Sequence, residues 1–123
     1  MLQADFGFRA PYDPFSRLFN LDLAGGALLD IGIYPLAFAM LLLGEPAEVA
    51  SLAHEAATGV AEHSAYLLRH AQGQISVLAS ALRTQTSMSA SVYGTHGLIH
   101  LPKQFWRAKE MIVQPRNKAP RHV

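Results

Sequence analysis

The sequence predicts an α+β domain in which one main helix packs on a mostly antiparallel, open-faced sheet of six to seven strands. Three observations lead to this fold class: one long helical pattern, several short apolar segments with strand character, and short turns between those segments. Short turns join antiparallel neighbours, and a lone helix covers one face of a sheet. The prediction therefore leaves the other face uncovered.

The composition is that of an ordinary globular domain. The chain has 123 residues, of which 50% are hydrophobic and 15% charged, and this length suffices for one domain with a hydrophobic core. The net charge of +1 gives no overall field that favours nucleic acid or a membrane surface. The absence of cysteine excludes disulfides, thiolate zinc sites and cysteine nucleophiles, and it is consistent with the cytoplasm.

The first half of the chain reads as strand, loop and helix. Alternating apolar residues predict a strand over Leu2–Phe8, and the proline- and aspartate-rich Ala10–Leu23 predicts a loop. We expect an amphipathic helix over Gly26–Leu43, ended by the glycine and proline that follow, with a kink at Pro35 because proline cannot donate to the preceding turn. The longest apolar run, Ile33–Leu43, is too short to span a bilayer, and no signal peptide is apparent.

The second half of the chain has a sequence pattern that predicts strands joined by turns. Candidate strands are Ala47–Ala56, Glu62–His70, Gln74–Arg83, Met88–Tyr93, Leu98–Leu101 and Lys109–Gln114. Gly73 is expected in the left-handed region of a hairpin turn, and Gly94–Gly97 forms a second tight turn. Ile75–Leu82 is apolar on both sides, so the face away from the helix needs a partner, most simply a second copy of the chain.

The end of the chain is basic. Six of the ten lysines and arginines follow Pro102, and residues 115–123 hold two prolines and little to bury. We interpret residues 1–114 as the domain and 115–123 as an exposed or disordered tail. A nucleic-acid site is disfavoured, since Phe105 and Trp106 alone make no stacking platform.

The motif Gly25–Pro35 concentrates polar chemistry in an apolar setting. Asp30 and Tyr34 stand four residues apart, so they are expected to share one helical face as a proton-handling pair. Gly25 and Gly26 would let another molecule approach the backbone closely. The alternative is that Asp30 forms local hydrogen bonds and Tyr34 is a core aromatic residue. No metal site is predicted, because the six histidines are scattered and none forms a helical pair with an acid.

Several ordered motifs resemble one family. They are Ala4–Arg9, Arg17–Phe19, Gly25–Pro35, Thr58–Val60 and Gly94–Ile99. Together they resemble the C-terminal domain of the glucose–fructose oxidoreductase, inositol dehydrogenase and MocA family over roughly residues 2–113. Within it the chain is most similar to the branch that contains dimeric dihydrodiol dehydrogenase, whereas inositol dehydrogenase-like members carry histidine in place of Tyr34.

The resemblance implies a parent enzyme with a Rossmann domain for NAD or NADP and a catalytic lysine in a Glu-Lys-Pro motif. Neither motif occurs in this sequence, so we expect a truncated domain that binds no cofactor by itself and is inactive alone. In the parent, Tyr34 would exchange a proton with the substrate, Asp30 would orient or tune it, and the absent lysine would complete the relay. Gly25 and Gly26 would lie near the nicotinamide.

Three further residues become candidates for substrate binding under this resemblance. Phe8 and Arg9 end the first strand where a substrate would lie, although packing and solvation explain them equally well. Trp106 would cover the pocket or anchor the core.

The implied function is hydride transfer between nicotinamide and a sugar, polyol or diol, with this chain as the substrate-binding and dimerisation domain of a homodimer. The alternative is a non-catalytic dimerising or protein-interaction module. No nucleic-acid or membrane partner is expected under either reading.

Overall fold

A computed structural model describes residues 1–123 and contains one main helix on one sheet. The helix α1 spans Ile33–Leu43. The strands are β1 (Leu2–Gly7), β2 (Pro46–Glu55), β3 (Ala61–His70), β4 (Ile75–Ala81), β5 (Ala90–Gly94), β6 (Gly97–Leu101), β7 (Ile112–Pro115) and β8 (Arg121–His122). The α+β prediction is confirmed, and the eight strands exceed the predicted six to seven.

The sheet order is β2-β3-β4-β1-β5-β6-β7-β8, and every neighbouring pair except β1 and β4 is antiparallel. The parallel pair arises because the chain leaves β1, forms the helix and the β2–β3 hairpin, and returns as β4 beside it. The additional strand β8 pairs with β7 while residues 116–123 stay exposed. Gly73 has φ +85° in the β3–β4 turn, as its hairpin position predicts.

The main core lies between α1 and the helix-facing side of the sheet. Its fully or nearly buried apolar side chains come from β1, β3, β4, β5, α1 and the turn at Phe105: Leu2, Ala4, Ala39, Tyr66, Leu68, Leu78, Ala90 and Phe105. A second cluster beside it includes Phe19, Ile31 and Leu82, and it fixes the loop before the helix. Alternate residues of β1 and β3 enter the main core, and this period-two pattern is what located these strands in the sequence.

Some buried polar groups on this side of the sheet are paired, among them Tyr66 with Ser80 and His70 with Ser76. His70 is buried, and its ring contacts the Gly44 carbonyl oxygen at 2.9 Å and the Ser76 hydroxyl at 2.8 Å. Because a carbonyl only accepts, the His70 Nδ1–H donates to Gly44 and the Ser76 hydroxyl donates to Nε2. This residue therefore joins the end of α1 to β3 and β4.

The helix differs from the prediction in two ways. Its first part, Leu28–Gly32, is a π turn in which the Ile33 N–H reaches the Leu28 carbonyl, and α1 begins only after it. Pro35 cannot donate to the Ile31 carbonyl, and a wide turn that we did not expect directly precedes it, while the kink at Pro35 stays a prediction. In addition, α1 is not amphipathic: apart from Tyr34 it consists of apolar residues on every side.

The wider helical stretch Leu21–Leu43 has 23 residues and contains an 18-residue window with a mean hydropathy of 1.9. By length and composition alone it is apolar enough to cross a membrane, unlike the shorter run identified in the sequence. This is weak support for membrane insertion, because core helices meet the same criterion. Here Ile31, Pro35 and Ala39 are buried inside the domain.

The opposite face of the sheet is open. One transverse row on this face runs through Ala50, Leu67, Val77, Gln3, Ser91 and His100. Its half over β2, β3 and β4 is apolar and includes a groove of about 310 Å³ between Leu52, Leu67 and Val77. The half over β1, β5 and β6 is polar. The prediction of an uncovered sheet face is confirmed, and we call the apolar half the open-face patch.

Candidate functional site

Aromatic side chains gather where β1 ends beneath the helix. The rings of Phe6, on β1, and Trp106, on the short turn Phe105–Arg107, are stacked with centroids 3.8 Å apart and planes 8° apart. The Tyr34 ring packs against both, with centroid distances of 5.4 Å to Phe6 and 5.8 Å to Trp106. Three separate chain segments therefore build one aromatic cluster, defined here as Phe6, Tyr34 and Trp106.

The Tyr34 phenol lies at the surface of this cluster. Its residue is 41% exposed, so the ring packs on one side while the other side remains accessible. The phenols that hydrogen-bond within the chain are those of Tyr66, to Ser80, and Tyr93, to Gln3. The Tyr34 hydroxyl is not committed to another residue of the chain and is free to meet a ligand.

Asp30 has a different neighbour from the one that its spacing suggests. Its carboxylate accepts a hydrogen bond from the guanidinium of Arg17, an ion pair between the loop and the π turn. Only 13% of the Asp30 side chain is exposed, against 65% of that of Arg17. Asp30 and Tyr34 therefore stand near each other along the helix, but the structure has no hydrogen bond between them.

The remaining candidates have distinct surroundings. Phe8 contacts Phe6 edge-on at a centroid distance of 6.3 Å, which extends the aromatic cluster past the end of β1. Arg9 is exposed and forms an isolated backbone bridge with Arg83. Trp106 is half-buried and packs against the main core, so it anchors the turn as well as covering Phe6.

Gly25 and Gly26 make their closest approaches to the chain itself. Their backbone N–H groups donate to the carbonyls of Asn20 and Leu18, both at 2.9 Å. A Cβ on Gly25 would lie within 2.8 Å of the carbonyl oxygens of Arg17, Leu18 and Asn20. The first glycine is therefore needed to seat the loop on the helix, and an approach by a cofactor stays a prediction.

Gly32 sets how deeply the helix sits on the sheet. A Cβ there would lie 3.0 Å from the Tyr66 hydroxyl and 3.1 Å from the Ser80 hydroxyl, two groups that bond each other. We therefore expect Gly32→Ala to lower the free energy of unfolding by about 1–3 kcal/mol, measured by urea denaturation.

The matched control is Gly94→Ala, because a Cβ on Gly94 would meet only the Gly97 carbonyl oxygen at 3.6 Å. That substitution is expected to change the free energy of unfolding by less than about 0.5 kcal/mol. Equal stability of the two variants would show that the helix does not approach the sheet as closely as described.

Phe6, Tyr34 and Trp106 line none of five open concavities on this chain. Open concavities of about 380 Å³ and 550 Å³ lie instead around the Gly94–Gly97 turn and β7. No group of three or more His, Asp or Glu side chains is placed to hold a metal ion. The cluster thus presents aromatic faces and a phenol at the surface of this chain.

Sequence reasoning missed Phe6 and Arg17 as members of this region. Phe6 fitted the strand alternation, and nothing in the sequence paired it with the distant Trp106. Arg17 stood within a motif of the family resemblance, but its side-chain partner was not evident from spacing. The signal available for both was their position in motifs that flank Tyr34.

Comparison with known proteins gives consistent matches over most of the chain. Trans-1,2-dihydrobenzene-1,2-diol dehydrogenase from Xenopus tropicalis is 32% identical over 119 residues, which cover 95% of this chain and 36% of that protein. The enzyme of the same name from Homo sapiens is 31% identical, with 94% and 35% covered. The chain therefore spans about a third of the length of these relatives.

Solved structures agree on the fold, and a family profile identifies it. An aldose-aldose oxidoreductase from Caulobacter crescentus complexed with glycerol superposes with a TM-score of 0.85 at 27% identity, covering 99% of this chain and 38% of its own. A 3-ketoreductase from Actinomadura kijaniata in complex with NADP and TDP-benzene gives 0.84 at 23% identity, with 99% and 39% covered. Residues 1–100 match the GFO/IDH/MocA C-terminal domain, and the chain therefore belongs to that family.

Proposed function

We propose that this chain is the substrate-binding and dimerising domain of an NAD(P)-dependent oxidoreductase that acts on a sugar, polyol or diol. The family match over residues 1–100 supports this reading, as do the curated relatives that are diol dehydrogenases. A neighbouring structure that contains NADP supports a dinucleotide in the full-length protein. The reaction is hydride transfer between the nicotinamide and a secondary alcohol or carbonyl.

The observation that carries the proposal is the accessible Tyr34 phenol at the surface of the aromatic cluster. When hydride adds to a carbonyl carbon, the carbonyl oxygen gains a proton. In alcohol oxidation the carbon loses hydride and the oxygen loses the proton. A phenol donates a proton and its phenolate accepts one, and a nearby cation stabilises the phenolate. Tyr34 is therefore proposed as the proton donor or acceptor, with the cation supplied by a lysine outside these residues.

The aromatic faces suit the proposed substrates. The C–H faces of a sugar, or the ring of an aromatic diol, pack favourably on flat aromatic side chains. Phe8 and Trp106 would supply such faces beside Tyr34, and they flank the stacked Phe6. The exposed Arg9 would offer N–H donors to substrate oxygens.

The cofactor is proposed to bind outside these residues. The sequence contains neither a Gly-x-Gly-x-x-Gly nor a Glu-Lys-Pro motif, while its relatives are about three times as long. We infer that NAD or NADP is held by the full-length protein, with Gly25 and Gly26 near the nicotinamide. The 123 residues alone are expected to bind neither dinucleotide.

The open-face patch is proposed to pair with a second copy of the chain. Leu52, Leu67 and Val77 are exposed side by side on adjacent strands, an apolar surface unusual for a monomer. Two copies related by a two-fold axis would present the same patch to each other. Pairing would remove these side chains from water, with the polar half of the face at the margin.

The test is a dehydrogenase assay of the longest natural reading frame that contains these residues. Nicotinamide reduction should occur with trans-dihydrobenzenediol, sugars or polyols when NAD or NADP is supplied. The 123-residue chain, assayed in parallel, should give no turnover. Turnover by the short chain would contradict the proposed location of the cofactor site.

A full-length protein that dimerises but turns over none of these substrates would favour a different function. The open-face patch alone then supports the second candidate, a non-catalytic interaction module. An upstream nucleotide-binding motif in the reading frame distinguishes the two readings, because only the oxidoreductase requires it.

A further inference from the structure

The loop before the helix is fixed against the π turn by its backbone. Phe19 is fully buried in the second cluster, and the carbonyls of Leu18 and Asn20 accept hydrogen bonds from Gly26 and Gly25. The missing Cβ of Gly25 leaves room for three loop carbonyls, including that of Arg17. The backbone of Arg17 is therefore held at one place relative to the helix.

From that position the Arg17 guanidinium meets the Asp30 carboxylate. A carboxylate that is 13% exposed loses most of its hydration, and an ion-pair partner compensates for that loss. No other hydrogen bond to the Asp30 side chain exists within the chain, so Arg17 is its sole direct partner. The largely buried Asp30 and the exposed Arg17 form an ion pair between loop and helix, which we call the clamp.

We propose that Arg17 is a positioning residue for the Tyr34 site and acts through Asp30. This inference rests on the proposed oxidoreductase function. The guanidinium holds the carboxylate and balances its charge, so Tyr34 works beside a closed ion pair. An unpaired carboxylate near Tyr34 would oppose formation of phenolate or of negative charge on the substrate oxygen.

The proposal predicts a lower kcat for a protein that keeps Asp30 but lacks Arg17 than for a protein that lacks both charged side chains. In the full-length oxidoreductase, Arg17→Gln should lower kcat by about 10- to 100-fold while KM changes by less than about 3-fold. Adding Asp30→Asn to that variant should recover at least part of kcat, because the unpaired charge is removed. The control is Arg116→Gln, at an exposed position without an ion pair, and it should match the wild type.

A purely structural role of Arg17 predicts another pattern. The loss of kcat would then follow the loss of folded protein, and Asp30→Asn would restore kcat only as far as it restores stability. Unchanged kcat in Arg17→Gln, or a double variant slower than the single one, would overturn the proposal. Thermal unfolding of all variants shows whether a kinetic loss merely reflects a smaller folded fraction.

A second measurement does not depend on catalysis. In the 123-residue chain labelled with carbon-13, the side-chain carboxyl resonance of Asp30 should move in Arg17→Gln and stay in place in Arg116→Gln. An unmoved resonance would overturn the ion pair and with it the proposal. A moved resonance in a protein whose full-length form shows no turnover would leave the clamp standing and refute its catalytic role together with the proposed function.

Discussion

Tyr34→Phe in the full-length protein is expected to lower kcat by about 10²- to 10⁴-fold, the usual contribution of a general acid or base, with a much smaller change in KM. The substitution removes one hydroxyl and keeps the ring that packs on Phe6 and Trp106. Substrate contact with the aromatic faces is therefore retained while the proton route is lost. Steady-state kinetics in both reaction directions measure the effect, which should appear equally in oxidation and reduction.

The matched control is Tyr12→Phe. Tyr12 is also about two-fifths exposed, and it packs edge-on against Phe19 and is not a member of the aromatic cluster. Its hydroxyl has no role in the proposed chemistry, so kcat should remain within about 2-fold of the wild type. Activity of Tyr34→Phe close to that of this control would exclude the phenol as the proton-transferring group and leave Tyr34 as a packing residue.

Leu67→Glu is expected to dissociate the proposed dimer into monomers. Leu67 is 51% exposed at the centre of the open-face patch, between Ala50 on β2 and Val77 on β4. A carboxylate there would face its own symmetry mate across an apolar interface, without a partner. The dissociation constant should rise by about 30-fold or more, as for a central interface residue. Sedimentation equilibrium of the 123-residue chain measures it.

The control for this variant is Leu23→Glu, an equally exposed leucine in the turn before the helix. It introduces the same charge away from the open-face patch and should leave the dissociation constant unchanged. Circular dichroism of both variants checks that the sheet is intact. A wild-type monomer at high concentration, or a Leu67→Glu variant that still dimerises, would refute pairing through this face.

Much of the secondary structure follows from local patterns. Alternation in Leu2–Phe8 is a consequence of one strand face meeting the core, and β1 follows it within a residue. Gly44 and Pro46 end the helix for reasons that act within a few residues, and α1 stops at Leu43. The short strand β8 was missed because its residues are polar and exposed, so backbone pairing alone defines it.

The π turn and the clamp could not be predicted from such local patterns. The motif predicted that Asp30 and Tyr34 share a helical face, and the helix does carry both. Which group each side chain meets depends on chain segments far away in sequence. Trp106 reaches Tyr34 from a turn that follows β6, while Arg17 reaches Asp30 from the loop before the helix.

By itself, the sequence determined that this is an α+β domain of one family, with a glycine-led helix that carries an acid and a phenol. Composition, periodicity and glycine or proline positions suffice for the fold class and the helix, because they act over a few residues at a time, whereas the family rests on the ordered motifs that resemble it. Only the tertiary structure decided that Asp30 pairs with Arg17 and that Tyr34 joins Phe6 and Trp106. The reason is that these partners come from segments distant in sequence. The parallel β1–β4 pair and the buried Phe19 bring the loop, the helix and the later turn together.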